Sequence, residues 1–364
     1  MNHNILCDKL PYYGFRGKIH SLIKSFLANR KQHLSINGVI STNLAVNCGV
    51  PQGSTLGPLL FLLYINDLRF SLHNSLSSHF ADDTCILFSA KNLTRFESAL
   101  NQDLKLVSQW LKVNRLSLNV DKTKLIVFHS KHKKIDFSKL NIKLEGKKLL
   151  PCDYVKYLGI YIDKNLSWDF HINQLSKKLS RANGILCKLR HFAPKFSLIS
   201  VYYAIFYSHM TYGCQVWSLT SKKNLNIINV LQKKCIRIMN FADFNSHTNP
   251  LFIDNKLLKF EDIIESSQLQ LIFDFKNRNL PDDLYSLFDY SDNVHNHNTR
   301  IASNKGIFIP SISTFNYGNK SLRFSSSSIW NNFVKSNSDI LSCKSKAQFK
   351  LFLKKHYLSL YSNL

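Results

Sequence analysis

The chain has 364 residues, and 48 Lys and Arg against 23 Asp and Glu leave a formal net charge of +25 at pH 7. With 45% hydrophobic and 20% charged residues it is too apolar for a disordered basic tail, so a packed core is expected. The positive excess points to a polyanionic partner, usually a phosphate backbone.

The length suggests two or three folding units. The eight cysteines contain no CxxC, and the closest pair, Cys214 and Cys235, is far apart in sequence. That speaks against zinc ribbons and thioredoxin chemistry and for buried free thiols. His295 and His297 have no second ligand pair nearby, so they are not read as a metal site. Residues 1 to 20 hold no continuous apolar run, and Leu59–Ile65 and Val201–Tyr207 are too short to span a bilayer. A nuclear or cytoplasmic protein is expected, neither secreted nor in a membrane.

In chain order, Lys18 to Ala28 has helical spacing, with Ile19, Leu22, Ile23, Phe26 and Leu27 on one face. Asn37-Gly38 predicts a turn between two short strands. Cys48 to Gly57, rich in Gly, Pro and Ser, reads as a loop feeding a buried helix over Pro58 to Ile65. Ser78 to Phe88 reads as strand, tight turn, strand, with Asp82 and Asp83 at the tip. Leu93 to Leu111 is the clearest amphipathic helix, and Thr94 with Glu97 has capping-box spacing. A short strand is expected at Leu125 to Phe128. Two strand-like runs bracket Leu150-Pro151, the second being Val155 to Ile162. From Trp168 to about Asn240 the pattern is helical, and Ile228 to Met239 reads as a basic amphipathic helix. Phe241 to Leu364 reads as short helices and Asn- and Ser-rich loops, with a low-complexity patch at Ser325 to Ser328.

Charge is uneven. Residues 122 to 195 carry 17 Lys and Arg and 5 Asp and Glu, so a nucleic-acid groove is sought there. Asp82-Asp83 alone would suit an ordinary turn. Two exposed carboxylates also suit Mg²⁺, whose ligands are hard oxygens, and phosphoryl transfer often uses two ions about 3.5–4 Å apart. Such a site needs a further carboxylate from another strand, because neighbouring side chains on one strand diverge.

Gly49-Val50-Pro51-Gln52-Gly53-Ser54-Thr55-Leu56-Gly57-Pro58-Leu59-Leu60-Phe61, followed by Tyr64-Ile65-Asn66-Asp67-Leu68, resembles motif B of reverse transcriptases. Phe80-Ala81-Asp82-Asp83-Thr84 resembles their motif C, and the spacing between the two also fits. Leu118 to Lys124 resembles motif D, and Tyr157-Leu158-Gly159-Ile160 the primer grip. The likeness is to the polymerases of non-LTR retrotransposons of the jockey and CR1-like kind. It continues through Ser208 to Gly213 and Trp217, then weakens, with Thr299-Arg300 and Trp330-Asn331 still familiar.

The resemblance implies an α+β fold: a partial right-hand polymerase palm, with an antiparallel sheet and helices, then a helical thumb and a mainly helical C-terminal region. The expected division is 1–140 for the palm with motifs B, C and D, 141–245 for the primer-grip hairpin and thumb, and 246–364 for the C-terminal region. Asp82 and Asp83 would hold Mg²⁺, two ions in the intact family enzyme. Lys122 would act near the pyrophosphate leaving group. Pro51, Gln52, Gly53 and Ser54 would line the nucleotide pocket, and Tyr157, Leu158 and Gly159 would position the primer. The implied partners are an RNA template, an RNA–DNA hybrid or DNA primer, and dNTPs, with no clear protein partner.

The family's motif A supplies the first catalytic aspartate. Asn2-His3 matches the end of that motif, so the aspartate is expected before Met1, and Asp8 is no substitute for it. Mg²⁺ binding by Asp82 and Asp83 alone is then expected to be weak or absent, and the chain by itself inactive or nearly so. The alternative expectation is a non-catalytic, basic nucleic-acid-binding remnant.

Overall fold

The computed structural model describes residues 1–133, 135–294, 306–312 and 315–362. His295, His297, Thr299 and Arg300 lie outside the described residues. The chain forms two compact units, Met1–Cys152 and Asp153–Leu364. Helices and five separate two-stranded antiparallel ladders make up the described part, which is an α+β composition without one continuous sheet.

In the first unit, α1 (His3–Lys9) is capped by the Asn2 side chain, which accepts from the backbone N–H groups of Asn4 and Ile5. Helix α2 (Gly17–Leu27) buries Ile23 and Leu27, while Ile19 and Leu22 are exposed. Its covered stripe is therefore narrower than the periodicity predicts. Strand β1 (Lys31–Gln32) pairs with β4 (Leu44–Ala45), and β2 (Ser35–Ile36) with β3 (Val39–Ile40). The latter turn is Asn37-Gly38, as expected, both with positive φ.

Helix α3 (Leu56–Ile65) buries Gly57, Leu60, Tyr64 and Ile65, but Leu59 and Leu62 are exposed. The expectation of a buried helix holds for one side only, the side toward α1. Strands β5 (Leu76–Phe80) and β6 (Asp83–Leu87) form the predicted hairpin. Helix α4 (Leu93–Val113) buries Leu100, Leu104, Val107 and Leu111, as its spacing requires. Its cap is Asn92, whose side chain accepts from the Arg95 N–H at 2.8 Å, and not the Thr94–Glu97 pair. Glu97 instead accepts from the Asn141 N–H. The expected strand at Leu125 to Phe128 reduces to one bridge, Leu125 to Pro151, because proline has no N–H to continue a ladder. Strands β7 (Lys143–Leu144) and β8 (Lys147–Lys148) close the unit, and Leu140, Ile142, Leu144 and Leu149 pack with Leu100 and Leu104 of α4.

In the second unit, β9 (Tyr154–Tyr157) and β10 (Ile160–Asp163) form a hairpin, whereas the residue pattern alone reads Val155 to Ile162 as one strand-like run. Helix α5 (Asp169–Leu189) follows. Helix α6 (Lys195–Val201) runs through a π-helical turn, Tyr202–Tyr207, into Ser208–Thr211. After a one-turn helix at Cys214–Trp217 come α7 (Lys222–Met239), α8 (Asn249–Asp254), α9 (Phe260–Lys276), α10 (Leu322–Ser336) and α11 (Lys346–Tyr361). The last three are long helices, not the short ones expected. The serine patch lies inside α10, where Ser326 and Ser327 are fully buried and Ser325 donates to Gln268 of α9. Small side chains there admit a close helix neighbour.

Large aromatics dominate this unit's core: Trp217, Tyr202, Phe206, Phe252, Phe260 and Phe349 are fully buried. Trp217 stacks on Phe260 with centroids 5.7 Å apart. Gln232 of α7 accepts from the Phe260 N–H and donates to the Leu258 carbonyl, so one buried amide ties α7 to the start of α9. The basic amphipathic helix read over Ile228 to Met239 packs through its other face, with Ile228, Cys235, Ile236 and Met239 buried. All eight cysteines are free, as expected, but only Cys214 and Cys235 are buried. Among the described residues, no helix is long and apolar enough to cross a membrane.

His171, in the first turn of α5, is buried beside Trp217, and its Nδ1 accepts the Tyr161 N–H at 3.4 Å. Burial, aided by Lys178, pulls its pKa from 6.5 to about 4. The stability it contributes is complete above pH 6.5 and is lost as pH falls through about 4. Thermal melts at pH 7 and pH 4 should show a loss of about 2 kcal/mol, discounted for residual solvent access, that is absent in His171→Phe. An identical acid loss in the variant would rule His171 out.

Candidate active site

Three of the four groups singled out in the sequence lie in the first unit and the fourth in the second. The loop Pro51–Ser54 precedes α3. Gly53 has φ +81°, which favours glycine, and Ser54 Oγ donates to the Pro51 carbonyl at 2.8 Å while accepting the Gly57 N–H at 3.1 Å. A Cβ on Gly57 would lie 2.9 Å from the Ser54 Oγ and 3.3 Å from the Pro51 carbonyl oxygen, so a larger residue would displace the serine that bridges the loop to the helix. Gln52 and Gly53 are exposed and Pro51 and Ser54 half-buried.

Asp82 and Asp83 stand at the β5–β6 tip. Phe80 pairs with Asp83, leaving Ala81 and Asp82 as a two-residue loop. Ala81 has φ +51°, a conformation costing a side-chain-bearing residue about 1–2 kcal/mol; such strain persists only where the surroundings hold it. Both aspartates are exposed, and neither carboxylate has a hydrogen-bond or ion-pair partner among the described residues. Among those residues no group of three His, Cys, Asp or Glu is placed to hold a metal. No hydrogen bond or ion pair among them joins this tip to Pro51–Ser54 or to Lys122.

Lys122 lies on an exposed turn, its N–H donating to Asn119. In the second unit, Leu158 and Gly159 are the two loop residues of the β9–β10 hairpin, both with positive φ, which is the type I′ pattern. Tyr157 pairs with Ile160, on the face that packs toward the core. The Tyr212 hydroxyl donates to the Leu158 carbonyl at 2.7 Å, and its ring edge lies 3.4 Å from a Cβ position on Gly159. Tyr212 thus fixes the tip.

Two further residues that hold the site escaped the sequence reading. Asp103, on the inward face of α4, is fully buried and accepts from the backbone N–H groups of His73 and Asn74 and from the Asn74 side chain. Burial pushes its carboxyl up, but the hydrogen bonds from His73 and Asn74 outweigh that and leave its pKa below the ordinary value. It anchors the chain where β5 begins. The signal was an acid within the stripe Leu100, Leu104, Val107. Lys9 is the second. Its Nζ donates to the Tyr64 carbonyl at 2.8 Å and to Asp67 at 2.7 Å, and lies over the Tyr64 and Trp110 rings. Tyr64 is fully buried and its hydroxyl donates to the Asn114 carbonyl. The Tyr64 to Asp67 segment therefore binds α1, α3 and α4 together.

Asp103→Asn removes the charge from three of these hydrogen bonds and should cost about 2 kcal/mol. Urea unfolding measures it; an unchanged midpoint would show that Asp103 does not clamp the hairpin.

A family described as reverse transcriptase (RNA-dependent DNA polymerase) matches residues 1–162. The chain is 27% identical over 268 residues to the RNA-directed DNA polymerase from mobile element jockey of Drosophila melanogaster, covering 69% of this chain and 28% of that protein. It is 26% identical over 300 residues to the probable RNA-directed DNA polymerase from transposon X-element of the same species, covering 80% and 30%. It is 25% identical over 227 residues to the Pol polyprotein from type-1 retrotransposable element R1 of Bradysia coprophila, covering 61% and 22%. The chain spans less than a third of the length of these relatives. The aspartate hairpin and the glycine loop both lie inside the matched stretch, so residues 1–162 are similar to reverse transcriptase domains, and the chain to the RNA-directed DNA polymerases from mobile elements such as jockey and X-element.

Proposed function

We propose that the chain supplies part of an enzyme that copies RNA into DNA. The observation that carries this reading is the β5–β6 tip: two exposed carboxylates, without a partner among the described residues, on a strained turn inside the family match. Asp82 and Asp83 are hard oxygen donors and fit Mg²⁺, which is commonly held by one or two carboxylates plus substrate phosphates. The ion, when bound, would neutralise phosphate charge and favour the deprotonated primer hydroxyl. Gln52 and Gly53, with Pro51 and Ser54 beside them, line the incoming dNTP; the missing Cβ at Gly53 lets backbone approach a base pair. Lys122 meets the departing pyrophosphate. Tyr157, Leu158 and Gly159 hold the primer end, on an RNA template or an RNA–DNA hybrid. In this reading residues 1–140 are palm, 141–245 primer grip and thumb, and 246–364 a C-terminal region.

Two carboxylates without a third among the described residues bind Mg²⁺ weakly, so the chain alone is inactive or nearly so. Primer extension on an RNA template is the test. The expected result is no Mg²⁺-dependent product from the chain alone, and product from a longer protein containing it that vanishes in Asp82→Ala. Synthesis by the chain alone that vanishes in Asp82→Ala would overturn its inactivity, and synthesis indifferent to Asp82 would overturn the site. The alternative, a non-catalytic nucleic-acid binder, is favoured by Lys177 and Arg181 of α5, which are exposed and have no ion-pair partner among the described residues, and predicts binding that needs neither aspartate.

A further inference from the structure

The outward face of the β9–β10 hairpin carries an arrangement that the primer-grip tip does not use. Tyr154 stacks on Phe170 of α5, with centroids 4.0 Å apart and planes 17° from parallel. Tyr161 meets Phe170 edge-on at 5.1 Å, and the Lys156 ammonium lies over the Tyr161 ring at 5.8 Å. Register explains the grouping: Tyr161 is opposite Lys156 and Asp163 opposite Tyr154, so these four share one face, while Ile160 and Ile162 face the core. Tyr154 remains 45% exposed despite its stacked partner. An aromatic cluster left open in this way is not core.

The surroundings select its ligand. Lys177 and Arg181 follow Phe170 by seven and eleven residues, which puts all three within about 20° of one line along α5. Both cations are exposed and have no ion-pair partner among the described residues. Of the nearby acids, Asp153 is paired with Lys164, while Asp163 and Asp169 keep their charge but have oxygens engaged by the N–H groups of Asn165, Ser167 and Trp168 and by the Asn224 amide. Open aromatic rings continuous with an uncompensated cationic row suit single-stranded nucleic acid, whose bases stack while its phosphates meet the cations. A duplex keeps its bases stacked on one another and has no use for the ring.

We infer that Tyr154, braced by Phe170, is a stacking platform for an unpaired base of single-stranded nucleic acid, and that Lys177 and Arg181 hold the flanking phosphates. This rests on the reading of the chain as a nucleic-acid enzyme and names a contact beyond the catalytic tip. The whole chain is titrated into fluorescein-labelled single-stranded RNA of about twelve nucleotides, within the usual site size, with blunt duplex RNA as comparison, by fluorescence anisotropy. Tyr154→Ala should weaken single-strand binding about tenfold and leave duplex binding unchanged. Tyr154→Leu, which still packs on Phe170 but offers no π-face, should lose as much, so a folding defect in the alanine variant does not decide the matter. Tyr154→Phe should bind as the parent does. Lys177→Ala with Arg181→Ala should flatten the dependence of log K on log salt by about 1.4, at about 0.7 per phosphate. Single-strand affinity unchanged in both Tyr154→Ala and Tyr154→Leu overturns the platform while nucleic-acid binding stands. Equal losses on single strand and duplex also overturn it. A parent chain that binds neither RNA overturns the platform and the nucleic-acid reading together.

Discussion

A two-stranded hairpin buries too little apolar surface to stand alone in water, and both hairpins that carry candidate site residues are two-stranded. The structure depends on how they are braced. In the first unit Ile86 of β6 packs against the stripe of α4, while Asp103 on that helix grips the backbone entering β5. In the second unit Ile160 and Ile162 of β10 pack on the core, and Tyr212 grips the turn. Each hairpin thus has an apolar brace behind it and one polar anchor at an end.

That economy leaves the tips free for chemistry. The Ala81-Asp82 and Leu158-Gly159 loops each contain a residue other than glycine with positive φ. Two-residue loops of this kind fix the direction of the next side chain more tightly than longer loops do. The carboxylates are therefore presented by a two-residue turn and not by a long loop. Likewise, Ser54 bridging Pro51 and Gly57 makes the glycine loop a rigid entrance to α3. The motif residues serve both ends, some pointing at solvent and others, such as Tyr64, wholly inside.

What was legible in the sequence had local causes. Asn37-Gly38 announces its turn because few other pairs tolerate two positive φ values, and Leu100, Leu104, Val107 and Leu111 announce a helix by their period. The Asp82-Asp83 hairpin was legible for the same reason, with apolar strands on either side of a turn. What was not legible depended on partners distant in sequence. Asn92 displaced Thr94 as the cap because Glu97 was drawn to Asn141. Val155 to Ile162 reads as one strand until Tyr212 is seen holding its fold-back at Leu158. Ser325 to Ser328 reads as a low-complexity patch, yet it is one turn of α10, with Ser326 and Ser327 buried and Ser325 bonded to Gln268 of α9. Asp103 sits within the apolar stripe of α4, and the backbone N–H groups of His73 and Asn74, some thirty residues away, explain its burial.

The π-helical turn at Tyr202–Tyr207 has a consequence for everything after it. There the Ser208 N–H reaches back five residues, to the Tyr203 carbonyl, so the turn holds more residues than an ordinary helical one. One residue more in a turn is an angular offset of about 100° for the chain beyond. The turn therefore acts as a phase shifter between α6 and the segment Ser208–Thr211. It clocks Tyr212 round to the azimuth at which its hydroxyl meets Leu158. Deleting a residue there would be a rotation in effect, and the hairpin tip would lose its latch although no residue touching it had changed.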